Sequence, residues 1–582
     1  MKITGAEYVV KILEALEIGH LFAYPGGAIL PIYDALAHST LDCVLVRHEQ
    51  AAAFAAQGYA RTKINKPGFC LSTSGPGATN MVTGIADAYA DSIPLIAITG
   101  QVATSLIGSD AFQETDITGI CLPFTKKTFL LKDLSKAKDV FREAYEVSIN
   151  GRKGPVLIDI PKDIQNEEIE LKDDWQEKFI QPKYHSFYNA HPLQLDKAID
   201  LMYSAKKPLI IGGHGILLSD ACQELQDFVE LENIPMISTI LGIGLIPHDH
   251  PLYFSWLGMH GMKYANDAVQ EADLIIALGI RFDDRITGKL EEFAPKAKVI
   301  HVDIDESEGS KNVPTNVFLH ADLKTLLRSF PRTSTGMNTP WRQQWVEKLQ
   351  AWRKEYPLQK GDGTKMTMAT ALGNLNKMMS ADAYVATDVG QHQMWASQHL
   401  VNLLPNHFLT SGGLGSMGFG LPAAMGAQAA NPGKEVWCIS GDGSFQMNLQ
   451  ELIVLVQEKW PVKIIILDNT YLGMVRQWQE QFYERNYSGV DLINPDYEKM
   501  ATAYGIASCT VYDIDAYNEA VLKAQSVDGP FIIHAHVLKE DNVYPMVPPM
   551  ASLSDTMYYP NSVQKKTTEL KNEHKEQMEN KV

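Results

Sequence analysis

From residue 1 to about residue 165 the chain alternates helical periods with short apolar runs: HLFAYPGG, CVLVRHE, GFCLSTSGPG, PLIAITGQ and GPVLIDIP. Apolar runs bounded by Gly and Pro and separated by helical stretches argue for parallel strands with helices on both faces of the sheet. The opening MKITGAEYVVKILEALEIGH has the spacing of an amphipathic helix carrying acids. A second run of this kind covers about 190 to 345, with PLIIGGHGI, PMISTI, ADLIIALGIRFDDR and KVIHVDIDE as its strands, and a third covers about 365 to 547. Between the first two, the charged stretch from about 166 to 188, with EEIELKDDWQEK and Pro182, reads as a linker. Residues 548–582 read as a C-terminal tail whose last twenty residues, rich in Lys, Glu and Asn, are solvated. The expected fold class is therefore α/β: three domains, 1–165, 190–345 and 365–547, each a mainly parallel sheet flanked by helices, with no sequence repeat between them.

Length and composition fit that picture. At 582 residues and 45% hydrophobic content the chain can fill three or four cores. A net charge of −18 leaves no broad basic field for nucleic acid or an anionic membrane, so any anionic ligand must be held locally by a metal, backbone amides or single arginines. The six cysteines are scattered without Cys-x-x-Cys pairs, which reads as reduced structural thiols. No apolar run approaches the roughly 18 to 20 residues of a spanning helix. A soluble cytoplasmic protein is expected.

The chemistry concentrates between Ser440 and Val475. Two apolar strands, EVWCI and KIIIL, flank one helix expected from about Asn448 to Glu458. The first runs into Gly441-Asp442-Gly443 and the second into Asp468-Asn469, which sets Asp442 and Asn469, 27 positions apart, on one sheet edge. A lone Gly-Asp-Gly is a tight turn. Between two such strands it becomes a candidate magnesium–diphosphate anchor, because magnesium takes about six oxygens and keeps phosphate oxygens among them. Gly441 and Gly443 let the chain turn and bring backbone N–H groups against a diphosphate.

Glu49 stands where a strand enters the Ala-rich helix of RHEQAAAFAAQGYAR. One reading is an acid favoured by the helix macrodipole. The other is a carboxylate against N1′ of an aminopyrimidine, tuned by burial for proton exchange. His48-Glu49 lacks the second His of a zinc helix, Ala52 standing there. The Gly-x-Gly-x-x-Gly within Ser411–Gly420 follows only a short strand, HFLT, with no acid about twenty residues on, so it is weak as a dinucleotide signal. Its glycines can instead let backbone approach a pyrimidine, with Met417 as an apolar wedge; core packing is the plainer reading of that Met. His248-Asp249-His250 sits between Pro247 and Pro251 and reads as a loop.

Read together, YPGGAILPIYDAL, RHEQAAAFAAQGYAR, TSGPGATN, GQVATSLIGSDAFQETD, LGMHG, RFDDRITGKL, DVGQHQMWA, SGGLGSMGFGLPAA, GDGSFQMN and LGMVRQWQ resemble the catalytic large subunit of acetohydroxyacid synthase (acetolactate synthase), a thiamine-diphosphate (ThDP) enzyme, over about residues 3 to 547. The resemblance implies a pyrimidine-binding, a central FAD-binding and a diphosphate-binding domain. It also implies a homodimer or homotetramer whose cofactors lie between Glu49 of one chain and Asp442 and Asn469 of another. The Tyr471 carbonyl matches a third protein ligand of Mg2+. Gly390, Gln391, His392, Gly415, Met417, Gly441, Gly443, Ser444 and Met474 match ThDP contacts. Gly26 and Gly27 match amides near the reacting oxygen, and Gln113 and Lys126 match active-site polar groups. Arg152, Gly212, Gly213, Met259, His260, Arg281, Asp303 and Asp322 match flavin contacts. The chain departs from the pattern at Leu122, where some relatives carry Arg, at Asp468, where Asn is common, and in the ending PMVPPMASLSD.

The activity so implied is decarboxylation of pyruvate on ThDP and ligation of the hydroxyethyl unit to pyruvate or to 2-oxobutyrate, with a separate regulatory small subunit. Arg285 suits the acceptor carboxylate as a guanidinium fork. Trp478 suits a wall that reads the acceptor's extra methyl group. Three rivals stand beside it: a pyruvate oxidase, a simple 2-oxo acid decarboxylase, and a catalytically silent scaffold. The sequence contains no adjacent His-His pair of the sort a decarboxylase uses to protonate its carbanion.

Overall fold

A computed structural model describes residues 1–172, 175, 181, 183, 189–330, 339–358 and 365–558. Three six-stranded sheets, parallel throughout, form its framework. The first, in spatial order, is Asp42–Leu45, His20–Ala23, Gly68–Ser72, Leu95–Gln101, Pro155–Pro161 and Lys127–Leu130. The third is Phe408–Leu409, Tyr384–Thr387, Val436–Gly441, Lys463–Asp468, Phe531–His536 and Ala507–Val511. Numbered along each domain, both sheets run 2-1-3-4-6-5. The central sheet, Tyr253–Trp256, Met236–Ser238, Pro208–Gly212, Leu274–Leu278, Lys298–Asp303 and Val317–His320, runs 3-2-1-4-5-6, an order that opens a crevice for a dinucleotide where it reverses. The inner strands Gly68–Ser72, Leu95–Gln101, Pro155–Pro161, Leu274–Leu278 and Lys463–Asp468 are buried along their whole length, as helices on both faces require.

Several strands were not expected. Lys127–Leu130 and Val317–His320 are sheet edges, and Tyr253–Trp256 is short. Lys2–Thr4 precedes the first helix, Gly5–Ala15, and pairs antiparallel with Glu168–Glu170, inside the stretch read as a linker. Strands of three or four residues are too short to show a period in the sequence. The helix expected over 448–458 is a 3-10 turn, Leu449–Glu451, followed by Leu452–Gln457. The stretch after Val547 does not start as a free tail. Leu553 packs in the central domain's core, Met557 packs with Tyr544 and Met546, and the Gly288 and Lys289 segment meets the Ala551 carbonyl. Its last twenty residues lie outside the described residues.

The first and third domains meet through the helices Glu49–Thr62 and Gly420–Ala430, each the helix that follows the second strand of its sheet. The second is buried at every position and built from small residues. At their crossing a Cβ on Gly58 would overlap the Ala423 carbonyl, and one on Gly426 would overlap the Ala55 carbonyl. Glycine is required there by contact between backbones.

Candidate active site

The third sheet positions the metal-type residues. Val436–Gly441 ends in a one-turn helix, Asp442–Phe445, and Lys463–Asp468 ends one residue before Asn469. The two strands are hydrogen-bonded neighbours, so Asp442 and Asn469 emerge side by side. A cleft of about 440 Å³ opens above them, lined by Gly390, Gln391, His392, Met417, Gly441, Asp442, Gly443, Ser444, Asn469, Tyr471 and Met474 among others. Of the residues matched to the diphosphate cofactor, Gly415 and Glu49 are not in its wall.

A mesh of amides holds this edge. Asn469 Nδ2 donates to Gln391 Oε1 (3.2 Å), and Gln391 Nε2 donates to Gln477 Oε1 (2.8 Å). Gln477 clamps Val543 through both backbone groups, donating to its carbonyl (3.1 Å) and accepting from its amide (2.8 Å). Asn494 Nδ2 donates to Asp442 Oδ2 (2.7 Å) and to Asp468 Oδ1 (2.9 Å), bridging two buried carboxylates. Burial, and then the charge of Asp468, push the Asp442 carboxyl up to about 7. Such a group favours a bound cation. Asp388 accepts from the amides of Val389 (2.9 Å), Gly418 (2.8 Å) and Gly420 (3.2 Å), fixing the glycine-rich loop beside Met417. His392 packs so close to Gly441 that an added Cβ would lie 2.7 Å from Nδ1, and burial holds its pKa down to about 3, so the ring is neutral. Sequence reasoning missed Gln477 and Asn494; nothing local marks an amide that acts only through its neighbours.

On the first sheet, Glu49 begins its helix in a buried position and takes Asn80 Nδ2 on Oε2 (2.9 Å), while its Oε1 faces Gly77, where a Cβ would stand 3.1 Å away. Gly26 abuts Thr73, Gly27 is exposed with open space around it, and Gln113 adopts φ +60° against Gly75. These residues gather at the carboxyl ends of the first sheet's strands. Lys126 does not join them. Its Nζ donates to the carbonyls of Val147 and Asn150 (2.6 Å for the latter) at the end of the helix Ala137–Ile149, and burial lowers its pKa to about 8. Half-buried, a lysine at a helix C-terminus satisfies carbonyls that would otherwise lack donors.

A larger cavity of about 670 Å³ sits where the central sheet reverses its order, lined by Arg152, Arg281, Asp303 and Asp322 together with Asp91, His214, Gly279 and Glu308. Gly213 lies against the Gly279 carbonyl, where a Cβ would not fit, and Gly212 ends the first strand. Burial pushes the Asp303 carboxyl up to about 7. Arg152 meets Asp305 at 3.2 Å and Glu308 at 2.9 Å. Met259 and His260 are set apart from this cavity. Met259 accepts Arg285 Nη1 on Sδ (3.4 Å), and buried His260 meets the Pro545 carbonyl at 3.3 Å. Leu122 is exposed.

Trp478, on the helix Gly473–Phe482, lines an open groove of about 840 Å³ with Met474, Val475, Gln479, Tyr483 and Asn486. Met474 and Val475 also line the 440 Å³ cleft, so the two spaces share a wall. The strap 543–558 ties this helix to Arg285: Trp478 packs on Tyr544, Met546 and Met557, and Val547 donates to the Met259 carbonyl (2.7 Å).

Comparison with known proteins agrees with this geometry. Models described as the N-terminal TPP binding, central and C-terminal TPP binding domains of thiamine pyrophosphate enzymes match residues 3–120, 195–330 and 388–535. The acetolactate synthase isozyme 2 large subunit of Escherichia coli (strain K12) is 45% identical over 557 residues, 95% of this chain and 99% of that protein. The acetolactate synthase large subunit of Cyanidium caldarium is 44% identical over 566 residues, 95% and 96% of the two chains. That of Corynebacterium glutamicum is 42% identical over 568 residues, 96% and 90%. No helix among the described residues is long and apolar enough to cross a membrane.

Proposed function

The chain belongs to the thiamine pyrophosphate enzymes and, within them, to the acetolactate synthase large subunits, and on that premise we propose that it decarboxylates pyruvate and joins the remaining two-carbon unit to a second 2-oxo acid. Pyruvate as acceptor gives 2-acetolactate; 2-oxobutyrate gives 2-aceto-2-hydroxybutyrate, both on the way to branched-chain amino acids. The observation that carries this reading is the 440 Å³ cleft, where the oxygen ligands Asp442, Asn469 and Tyr471 share walls with Gly390, Gln391 and Met417. When bound, ThDP supplies a nucleophilic carbon and an electron sink for decarboxylation.

The chain's own residues hold and aim that group. The side-chain oxygens of Asp442 and Asn469 and the Tyr471 carbonyl would hold Mg2+, for which they are a hard, all-oxygen set. Glu49 is absent from the wall of its own chain's cleft, which supports the reading that a second copy brings it and that each site is built from two chains of a homodimer or of a homotetramer. With Asn80 on Oε2, Oε1 is the oxygen that would be left to hold or release a proton beside a bound aminopyrimidine. Gly26, Gly27 and Gln113 present polar groups on the same sheet edge. Arg285 clamps the acceptor carboxylate, and Trp478 reads its methyl group, a discrimination worth about 1 to 3 kcal/mol. The central crevice suits FAD: its strand order, its close Gly213–Gly279 approach and its paired arginines and acids fit a dinucleotide. A regulatory small subunit and a cytoplasmic location complete the proposal.

The test is product analysis with pyruvate, with and without 2-oxobutyrate, in the presence of ThDP, Mg2+ and FAD. Acetolactate, diverted to acetohydroxybutyrate by 2-oxobutyrate, is expected. Acetaldehyde, acetate or peroxide as the main product would overturn the ligase assignment and leave the thiamine site standing.

A further inference from the structure

The parallel strands Lys463–Asp468 and Phe531–His536 pair Ile466 with His534 and Asp468 with His536. Alternation along a strand puts residues two apart on one face, so Asp468, His534 and His536 share a single face at the ends of these strands. Among the described residues this is the one place where three His, Cys, Asp or Glu side chains bring potential ligand atoms within 4.8 Å of one another. His534 Nε2 lies 2.8 Å from Asp468 Oδ2, and the two imidazoles are 4.3 Å apart between ring centres. Ligands bonded at about 2.0 to 2.1 Å around a tetrahedral ion stand roughly 3.3 Å apart, so small side-chain rotations suffice to close the set.

The surroundings are those of a supported metal site. Asp468 Oδ1 is occupied by the Thr470 amide (2.8 Å) and by Asn494 (2.9 Å), and Oδ2 accepts from His534 Nε2 (2.8 Å), a hydrogen bond that an incoming ion replaces as the imidazole releases its proton. His534 Nδ1 lies 3.4 Å from Thr510 Oγ1, an outer contact of the sort that orients metal-bound histidines. Asp468 and His534 are buried while His536 is half-buried and stacked on exposed Tyr512, so the cluster lies near the surface on the His536 side. Two imidazoles and a carboxylate suit zinc and its neighbours, not magnesium, which prefers oxygen alone.

We propose that Asp468, His534 and His536 form a second divalent-cation site, for zinc or a chemically similar transition metal, distinct from the magnesium position at Asp442 and Asn469 and joined to it by Asn494. The site does not depend on the thiamine reading, since none of its three side chains lines the 440 Å³ cleft.

Cobalt(II), a spectroscopic stand-in for zinc, is titrated into the full-length protein saturated with ThDP and Mg2+, as wild type and as His536→Gln. The expected result is a visible d–d absorption of a four- or five-coordinate ion saturating at about one equivalent in the wild type. The variant should bind at least about 10- to 100-fold more weakly, the loss that even an outer partner causes. X-ray absorption of the zinc-loaded wild type, which needs no variant, should show two imidazoles in the metal's shell. Absence of the d–d band, equal binding by both proteins, or a shell of oxygens alone would overturn the site and leave the carboligase reading untouched.

Discussion

The first and third sheets share one strand order, 2-1-3-4-6-5, and touch through equivalent helices, yet they carry opposite chemistry at the same edge. In the third sheet, the ends of the third and fourth strands become Asp442 and Asn469, with a one-turn helix between strand and loop. In the first, the third strand runs into Thr73, Ser74 and Gly75, and its carboxylate comes instead from the helix after the second strand. One scaffold thus offers an oxygen-rich cradle and the other a single buried acid. A similar contrast holds between the fourth and sixth strands. Asp159 is closed off by neutral donors, Thr99 Oγ1 (2.7 Å) and Gln101 Nε2 (3.0 Å), whereas Asp468 stands beside two imidazoles, His534 and His536. Topology sets where functional groups can stand, and side chains set what they do.

The contrast can be broken at its strongest point. Glu49→Gln should cut kcat by about 10²- to 10⁴-fold while ThDP and Mg2+ bind as before, because only proton exchange is removed. Rapid-quench turnover alongside cofactor-binding titration checks this; weaker cofactor binding that accounts for the whole loss would move Glu49 from chemistry to structure. The helix crossing tests the shared scaffold. Gly58→Val and Gly426→Val should each destabilise the protein by about 1 to 3 kcal/mol or more, through overlap with a carbonyl that cannot move aside, and by similar amounts. Unequal urea midpoints would deny that the two contacts are equivalent.

Smaller effects sharpen the difference. Asn494→Ala should weaken Mg2+ by about 10- to 100-fold, the usual cost of losing an outer-sphere partner, seen as a raised half-saturating Mg2+ concentration. Asp159 gives a pH signature instead. Burial pushes its carboxyl up to about 7, so between about pH 4 and 7 the folded chain keeps a proton that the unfolded chain releases. Stability from this group therefore falls as pH rises through that window, by at most about 1.4 kcal/mol per pH unit, and is level above it. Asp159→Asn should flatten that slope, and denaturation midpoints measured across the window would settle it.

The motif around Asp442 and Asn469 was legible because both lie where an apolar run stops, and a run's end is a local property of the sequence. Met417, Gln391 and His392 could be read with it only because their segments resemble a family. For Lys126 the resemblance gave an active-site polar group, and its contact with the carbonyls of Val147 and Asn150 at a helix end left no local mark in the sequence. The edge strands Glu168–Glu170 and Val317–His320 were missed because three or four residues are too few to show a period.

By itself the sequence determined the class of fold, three successive α/β units, since strand and helix periods are written along the chain. It also determined that Asp442 and Asn469 stand at one sheet edge, since the parts of that edge are two strands joined by one crossover. Only the tertiary structure decided the shared order of the first and third sheets, the backbone contact at Gly58 and Gly426, and the meeting of Asp468 with His534 and His536. Each of these depends on strand register and helix crossing, which are set by packing between segments far apart in the chain and leave no periodic trace in either segment alone.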